Sequence, residues 1–174
     1  YAAAYTDVKK AQHEFVDVID INIIGTINIL KLCKTNNIKM IYISTEHVFD
    51  GEKGNYAPKD LINPLSKYAK SKAAAELIVR MYENSLVIRT SFFGLQFPYA
   101  AAFIDQWSSK DYVDIMAPKI LEACLTDEYG IKHVFSKRET IYEKAKKRNP
   151  NVKMLSRCDI VDLSIPKDTS LVDK

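Results

Sequence analysis

The stretch Ile38-Lys39-Met40-Ile41-Tyr42-Ile43-Ser44-Thr45, followed shortly by Asp50-Gly51, decides the fold. It is short, apolar and rich in β-branched residues, and a turn-forming pair comes after it. That pattern predicts a buried strand ending at a loop. Upstream, residues 8–36 repeat apolar side chains at helical spacing (Phe15, Ile19, Ile23, Ile27, Leu30) before the polar stop Lys34-Thr35-Asn36-Asn37, which predicts one long helix. Downstream, Pro64 suits the first turn of a second long helix, sustained by the helix formers from Lys70 to Met81 and stopped at Asn84. Leu86-Val87-Ile88 then opens another buried strand. Helix, strand, helix, strand is the alternation that a parallel sheet with crossover helices requires, so residues up to 93 are predicted to form part of a doubly wound α/β layer.

Beyond Gly94 the pattern loosens into a helix over about 113–125, a short strand over 131–135 and a helix opened by Ser136-Lys137-Arg138-Glu139, which has capping-box spacing. The tail over 149–174 has two prolines and little periodicity. Two parts are expected: 1–94 from a dinucleotide-binding layer, and 95–174 as a small α+β substrate region. With 174 residues, 47% hydrophobic and 27% charged, the chain can bury a real core. A net charge of +3, spread among many acids and bases, calls for neither nucleic acid nor a membrane surface. No apolar run reaches the roughly 18 to 20 residues that span a bilayer, and no signal-peptide pattern opens the chain, so a cytoplasmic setting is expected. Cys33, Cys124 and Cys158 are odd in number and far apart, which suits neither a disulfide framework nor a zinc site, and no metal is expected.

Tyr68 and Lys72 stand four residues apart inside a predicted helix, so their side chains rise from one face. A ketone that accepts hydride develops negative charge on oxygen, and a phenol beside it can supply the proton. A nearby ammonium is expected to stabilise the phenolate and lower its pKa. Surface helices carry such pairs by chance, so the context has to decide. Here a strand ending Ser44-Thr45 delivers a hydroxyl to the C-terminal edge of the sheet, where open α/β proteins bind ligands.

The runs 42–51 (Tyr-Ile-Ser-Thr-Glu-His-Val-Phe-Asp-Gly), 63–72 (Asn-Pro-Leu-Ser-Lys-Tyr-Ala-Lys-Ser-Lys) and Arg89-Thr90-Ser91 resemble the extended short-chain dehydrogenases, and within them the dTDP-4-dehydrorhamnose reductase group. Ala3-Ala4-Tyr5-Thr6 looks like that family's segment after its fourth strand, and 22–26 like its central-helix motif. The resemblance covers residues 1–94 well and the rest loosely. It implies a Rossmann-type sheet and reduction of a nucleotide-linked 4-keto-6-deoxy sugar with NADPH or NADH. Tyr68 would be the general acid, Lys72 would hold the nicotinamide ribose and tune Tyr68, and Thr45 would bind the 4-keto oxygen. Asn22 would support Lys72 through water. Ala3 and Ala4 would line the cofactor, and Thr6, Val8, Glu46, His47 and Phe92 fall where the family touches cofactor or sugar. Core packing is the alternative for Val8 and Phe92. A homodimer is also implied, with Ile21, Ile24 and Met81 as the candidate surface.

Two departures qualify this reading. The chain's five glycines nowhere make G-x-G-x-x-G, so the family's phosphate loop is absent from it. The expectation is that the first strands of the sheet, on the order of 60 residues in two strand-helix units, lie outside this sequence. Glu46-His47 stands where the reductase group has Asp-Tyr and the related dehydratases have Asp-Glu. These two residues either transfer protons or position substrate and cap a loop. The rival readings are therefore an epimerase or dehydratase of the same fold, or a non-catalytic reductase-like regulatory subunit.

Overall fold

In the computed structural model, which describes residues 1–160 and 165–173, a three-stranded parallel sheet carries helices on both faces. In chain order the main elements are α1 (Val8–Ala11), α2 (Phe15–Ile19), a π-helical turn (Asp20–Ile24), α3 (Gly25–Thr35), β1 (Met40–Thr45), α4 (Lys67–Val79) and β2 (Ser85–Thr90). After them come β3 (Phe92–Phe93), β4 (Ala101–Phe103), β5 (Trp107–Ser108), β6 (Asp111–Tyr112), α5 (Val113–Cys124) and β7 (Gly130–His133). The last elements are β8 (Glu139–Thr140), α6 (Ile141–Lys146) and β9 (Lys153–Leu155). The sheet order is β1-β2-β7, and Thr45 lies opposite Thr90 at its C-terminal edge.

Strand alternation sends Met40, Tyr42 and Val87 to one face, where Ala75 and Val79 of α4 cover them together with Ile29, Leu30 and Cys33 of α3. Ile41, Ile43, Leu86 and Ile88 face the other way, against Met116, Ile120 and Ala123 of α5. The doubly wound layer predicted from the strand and helix alternation is therefore present. Alongside the other edge of β1 runs the start of the chain: the Tyr1 amine donates to Ile41 O at 2.5 Å, and Ile43 N–H donates to Tyr1 O at 3.1 Å.

The single helix expected over 8–36 is broken. The α-helical pattern lapses at residues 12–14, and the middle is a π-turn. Apolar periodicity did not mark the inward face either, because the buried row is Val18, Asn22 and Thr26, of which two are polar. The second helix begins at Lys67 rather than Pro64, because Ser66 caps it by accepting from Ala69 N–H at 3.1 Å. The capping box lies four residues later than its sequence signature suggested. Thr140 and Glu143 make it, while the Ser136 hydroxyl is drawn away to Asp111 at 2.7 Å and Glu139 to the Lys147 ammonium at 2.6 Å.

Residues from 92 onward form short two-stranded pairings, β3–β6, β4–β9 and β5–β8, around a second core of Phe97, Ala102, Tyr112, Ile141, Ala145 and Val152. Helix α5 and strand β7 return to the parallel sheet, so the layer also draws on residues 113–133. The described residues of the tail, where periodicity marked no element, still form local structure. The tail contributes β9, and residues near its end clasp the loop after β1, with Tyr56 N–H donating to Ser170 O at 2.8 Å and Val172 N–H to Tyr56 O at 2.9 Å. Gly51 and Gly54 permit this approach: at positive φ, a Cβ on either would lie 2.5 Å from Pro166 or 2.3 Å from the Asp168 carboxylate.

Candidate active site

The C-terminal edge of β1 opens into a cleft of about 420 Å³ lined by Thr45, His47, Tyr68, Lys72, Ser91 and Phe92, among others. Its wall begins with the extended start of the chain. Alternate residues Ala2, Ala4 and Thr6 line the cleft, as the two-residue period of an extended backbone allows, and Val8, the first residue of α1, joins them. Ala3, whose backbone was expected together with that of Ala4 to line the cofactor, is exposed and is not among the residues lining the cleft. Thr6, Val8 and Phe92 all reach the cleft, and Phe92 and Val8 are 46% and 39% exposed, so core packing does not account for either.

Thr45 ends β1 with extended backbone, and its hydroxyl accepts from His47 N–H at 3.2 Å and lies 3.3 Å from Ser91 Oγ. The four-residue spacing on α4 brings Tyr68 and Lys72 into the same cleft. The Lys72 ammonium donates to Ile43 O at 2.8 Å and sits 4.2 Å from the centre of the Tyr42 ring. Burial lowers the Lys72 pKa to about 8, opposed by the Glu76 carboxylate. The Tyr68 pKa, expected to be lowered by Lys72, is instead raised by burial, with the Thr45 hydroxyl pulling the other way. Tyr68 is therefore held as the protonated phenol, the form a proton donor needs.

Asn22 does not reach the cleft. It is buried behind it, where its Nδ2 donates to Ser71 Oγ at 2.8 Å and its Oδ1 accepts from Tyr5 N–H at 2.7 Å. Ser71 Oγ in turn donates to Tyr68 O at 2.7 Å. Asn22 thus ties the wall formed by the start of the chain to the helix that carries Tyr68 and Lys72, and the π-turn is the local distortion that carries it.

Glu46 and His47 separate. The Glu46 side chain turns away from the cleft, fully buried, and accepts from Ser108 Oγ at 2.7 Å. Burial raises its pKa, offset in part by the Lys110 ammonium. His47 faces the cleft, and burial, helped by Lys110, lowers its pKa to about 3, which keeps the imidazole neutral near pH 7. Lys110, Tyr99 and Phe93 also line the cleft and were not singled out from the sequence. Phe93 ends the two-residue strand β3, and Tyr99 and Lys110 lie on loops beyond Gly94, where periodicity carries little signal.

A family model described as "RmlD substrate binding domain" matches residues 1–123. The dTDP-4-dehydrorhamnose reductase of Aggregatibacter actinomycetemcomitans is 38% identical over 93 residues, which are 52% of this chain and 32% of that protein. The match thus spans about a third of that relative's length. A crystal structure of a hypothetical dTDP-4-dehydrorhamnose reductase from Sulfolobus tokodaii superposes with a TM-score of 0.85 at 29% identity, covering 97% of this chain and 68% of that one. The dTDP-4-dehydrorhamnose reductase of Bacillus anthracis in complex with NADP gives 0.86 at 26% identity, covering 99% of this chain and 70% of that one. With the family model matching most of the chain, and Rossmann-type reductases superposing on nearly all of it, the chain belongs to the RmlD substrate binding domain family.

Proposed function

We propose that the protein carrying this chain reduces a nucleotide-linked 4-keto-6-deoxy sugar with NADPH or NADH. The observation that carries this reading is the convergence of Thr45, Tyr68 and Lys72 in one cleft at the C-terminal edge of a parallel sheet. The match to dTDP-4-dehydrorhamnose reductases supports the substrate class, and the neighbour that holds NADP supports the cofactor.

The cleft suits a nicotinamide ribose. Lys72 gives one hydrogen bond to Ile43 O and keeps its other donors toward the cleft, beside the wall formed by Ala2 and Ala4. The two electrons would come, as hydride, from a reduced nicotinamide bound there. The Thr45 hydroxyl holds and polarises the substrate carbonyl. Tyr68, protonated and alongside it, gives its proton to the oxygen as negative charge develops, and the Lys72 ammonium steadies the resulting phenolate. His47, a neutral imidazole at the cleft wall, can donate to or accept from a sugar hydroxyl.

Residues 1–94 are proposed to serve the cofactor side and most of 95–173 the sugar side, with 113–133 completing the sheet. Pairing of two copies is also proposed, through the face bearing Ile21, Ile24 and Met81, which are 41%, 45% and 82% exposed. A cytoplasmic setting goes with this reading and suits the free thiols of Cys33, Cys124 and Cys158. The test of function is stoichiometric loss of reduced nicotinamide when a dTDP-4-keto-6-deoxyhexose is added to the protein. Product formed without net consumption of cofactor would point to an epimerase or dehydratase. Absence of turnover, together with a co-purifying partner, would point to a regulatory subunit.

A further inference from the structure

We propose that Lys110 is a substrate-contacting cation that takes an anionic oxygen of the nucleotide sugar, an inference that rests on the function proposed above. Lys110 lies between β5 and β6, and its backbone is pinned on each side. Its own N–H donates to Ser108 Oγ at 2.9 Å, Ser109 Oγ accepts from Leu171 N–H at 3.0 Å, and Asp111 accepts from Ser136 Oγ at 2.7 Å. Its side chain is only 15% exposed, with the ammonium 5.1 Å from the centre of the Phe93 ring. What exposure remains opens into the cleft that holds Thr45, Tyr68 and Lys72.

The ammonium lacks a good acceptor. Glu46 Oε1 is 3.8 Å away, beyond hydrogen-bonding distance, and already accepts from Ser108 Oγ. Among the described residues the Lys110 ammonium donates no hydrogen bond, which is costly for a largely desolvated cation with three donors. Lys144, buried nearby, shows the satisfied alternative: its ammonium donates to Lys137 O at 2.8 Å and to Glu139 at 3.4 Å. The residues lining the cleft include two lysines, Lys72 and Lys110, and neither Asp nor Glu. Lys72 already has a task in the proposed chemistry. The unspent donors of Lys110 therefore fit an anionic oxygen of the substrate's pyrophosphate.

The test compares Lys110→Met and Lys110→Arg with the parent protein by calorimetric titration of thymidine diphosphate and NADPH, with thermal melting as the control for folding. The expected result for Lys110→Met is about 10- to 100-fold weaker binding of thymidine diphosphate, the worth of one charge-assisted contact, with NADPH affinity unchanged and most of the loss restored in Lys110→Arg. Unchanged affinity for thymidine diphosphate in a folded Lys110→Met would overturn the inference while leaving the reductase reading intact, and so would a loss of NADPH affinity alone. A parent protein that does not bind thymidine diphosphate and consumes no cofactor would overturn both.

Discussion

One turn of α4 separates two polar clusters of opposite character. Among the described residues the Lys72 ammonium makes a single hydrogen bond, to Ile43 O, and it lines the cleft. Glu76, four residues on, is fully buried and fully engaged: it accepts from Arg89 Nη2 at 2.6 Å, from Arg89 Nε at 3.2 Å and from Ser44 Oγ at 2.6 Å. Arg89 itself is 1% exposed, donates to Pro58 O at 3.0 Å, lies 3.4 Å from His133 Nε2 and stacks 5.0 Å from the Phe49 ring. His133 continues the network to Val172 O at 2.9 Å, which links the sheet to the end of the described chain. Buried polar groups with all partners present hold a fold in one arrangement, and those left with free donors are available for chemistry.

Substitutions can break that comparison. Glu76→Gln leaves the Arg89 guanidinium buried without its counter-charge, so it should cost about 3–5 kcal/mol in urea unfolding, while turnover per folded molecule at about pH 6, where Lys72 keeps its proton without help from Glu76, stays near that of the parent. A stable Glu76→Gln protein with lost turnover would mean that the two clusters are not separable. Lys72→Met removes a partly desolvated charge, so the protein should melt no lower than the parent. Its NADPH affinity and its turnover should both fall, each by a factor on the order of 10 to 100.

The sheet and the Thr45, Tyr68 and Lys72 trio were legible because both rest on short-range regularities: a β-branched run, a four-residue spacing, a hydroxyl at a strand end. What was not legible depends on distant partners. Asn22 and Glu46 are buried polar residues whose partners, Ser71 and Ser108, lie on other elements, and a hydropathy pattern reads such residues as surface. Two stretches with the same capping-box spacing compete around residue 140, and a tertiary contact to Asp111 settles which one forms. Lys110 stands 64 positions beyond Glu46 in sequence, so only folding brings the pair together.

Asn22 sharpens the comparison because it is buried and satisfied yet serves the cleft. Asn22→Ala should cost about 1–3 kcal/mol, the penalty for leaving the Tyr5 backbone without its partner. It should also raise KM for NADPH more than it lowers kcat, since it loosens the wall holding Ala4. A change in stability alone, measured by unfolding and kinetics together, would make Asn22 a purely structural residue.

The smallest expected effect is a pH dependence. Lys72 has a folded pKa of about 8, below its unfolded value, so the unfolded chain holds the proton more tightly. Its burial therefore destabilises the fold below pH 8, and that cost is relieved as pH rises toward the ordinary lysine value, a gain of roughly 1–2 kcal/mol. Turnover should fall over the same range as the ammonium loses its proton. Urea unfolding of the parent and of Lys72→Met at pH 8 and pH 10 checks the sign: the gain should appear in the parent and vanish in the variant.

The most direct measurement is single-turnover reduction of a dTDP-4-keto-6-deoxyhexose by Tyr68→Phe, set against the parent protein. The substitution removes the proton and leaves the ring, so the rate should fall by a factor of about 100 to 10,000 with NADPH affinity and melting temperature nearly unchanged. A Tyr68→Phe protein that reduces the sugar nucleotide at the parent's rate would contradict the assignment of Tyr68 as the proton donor.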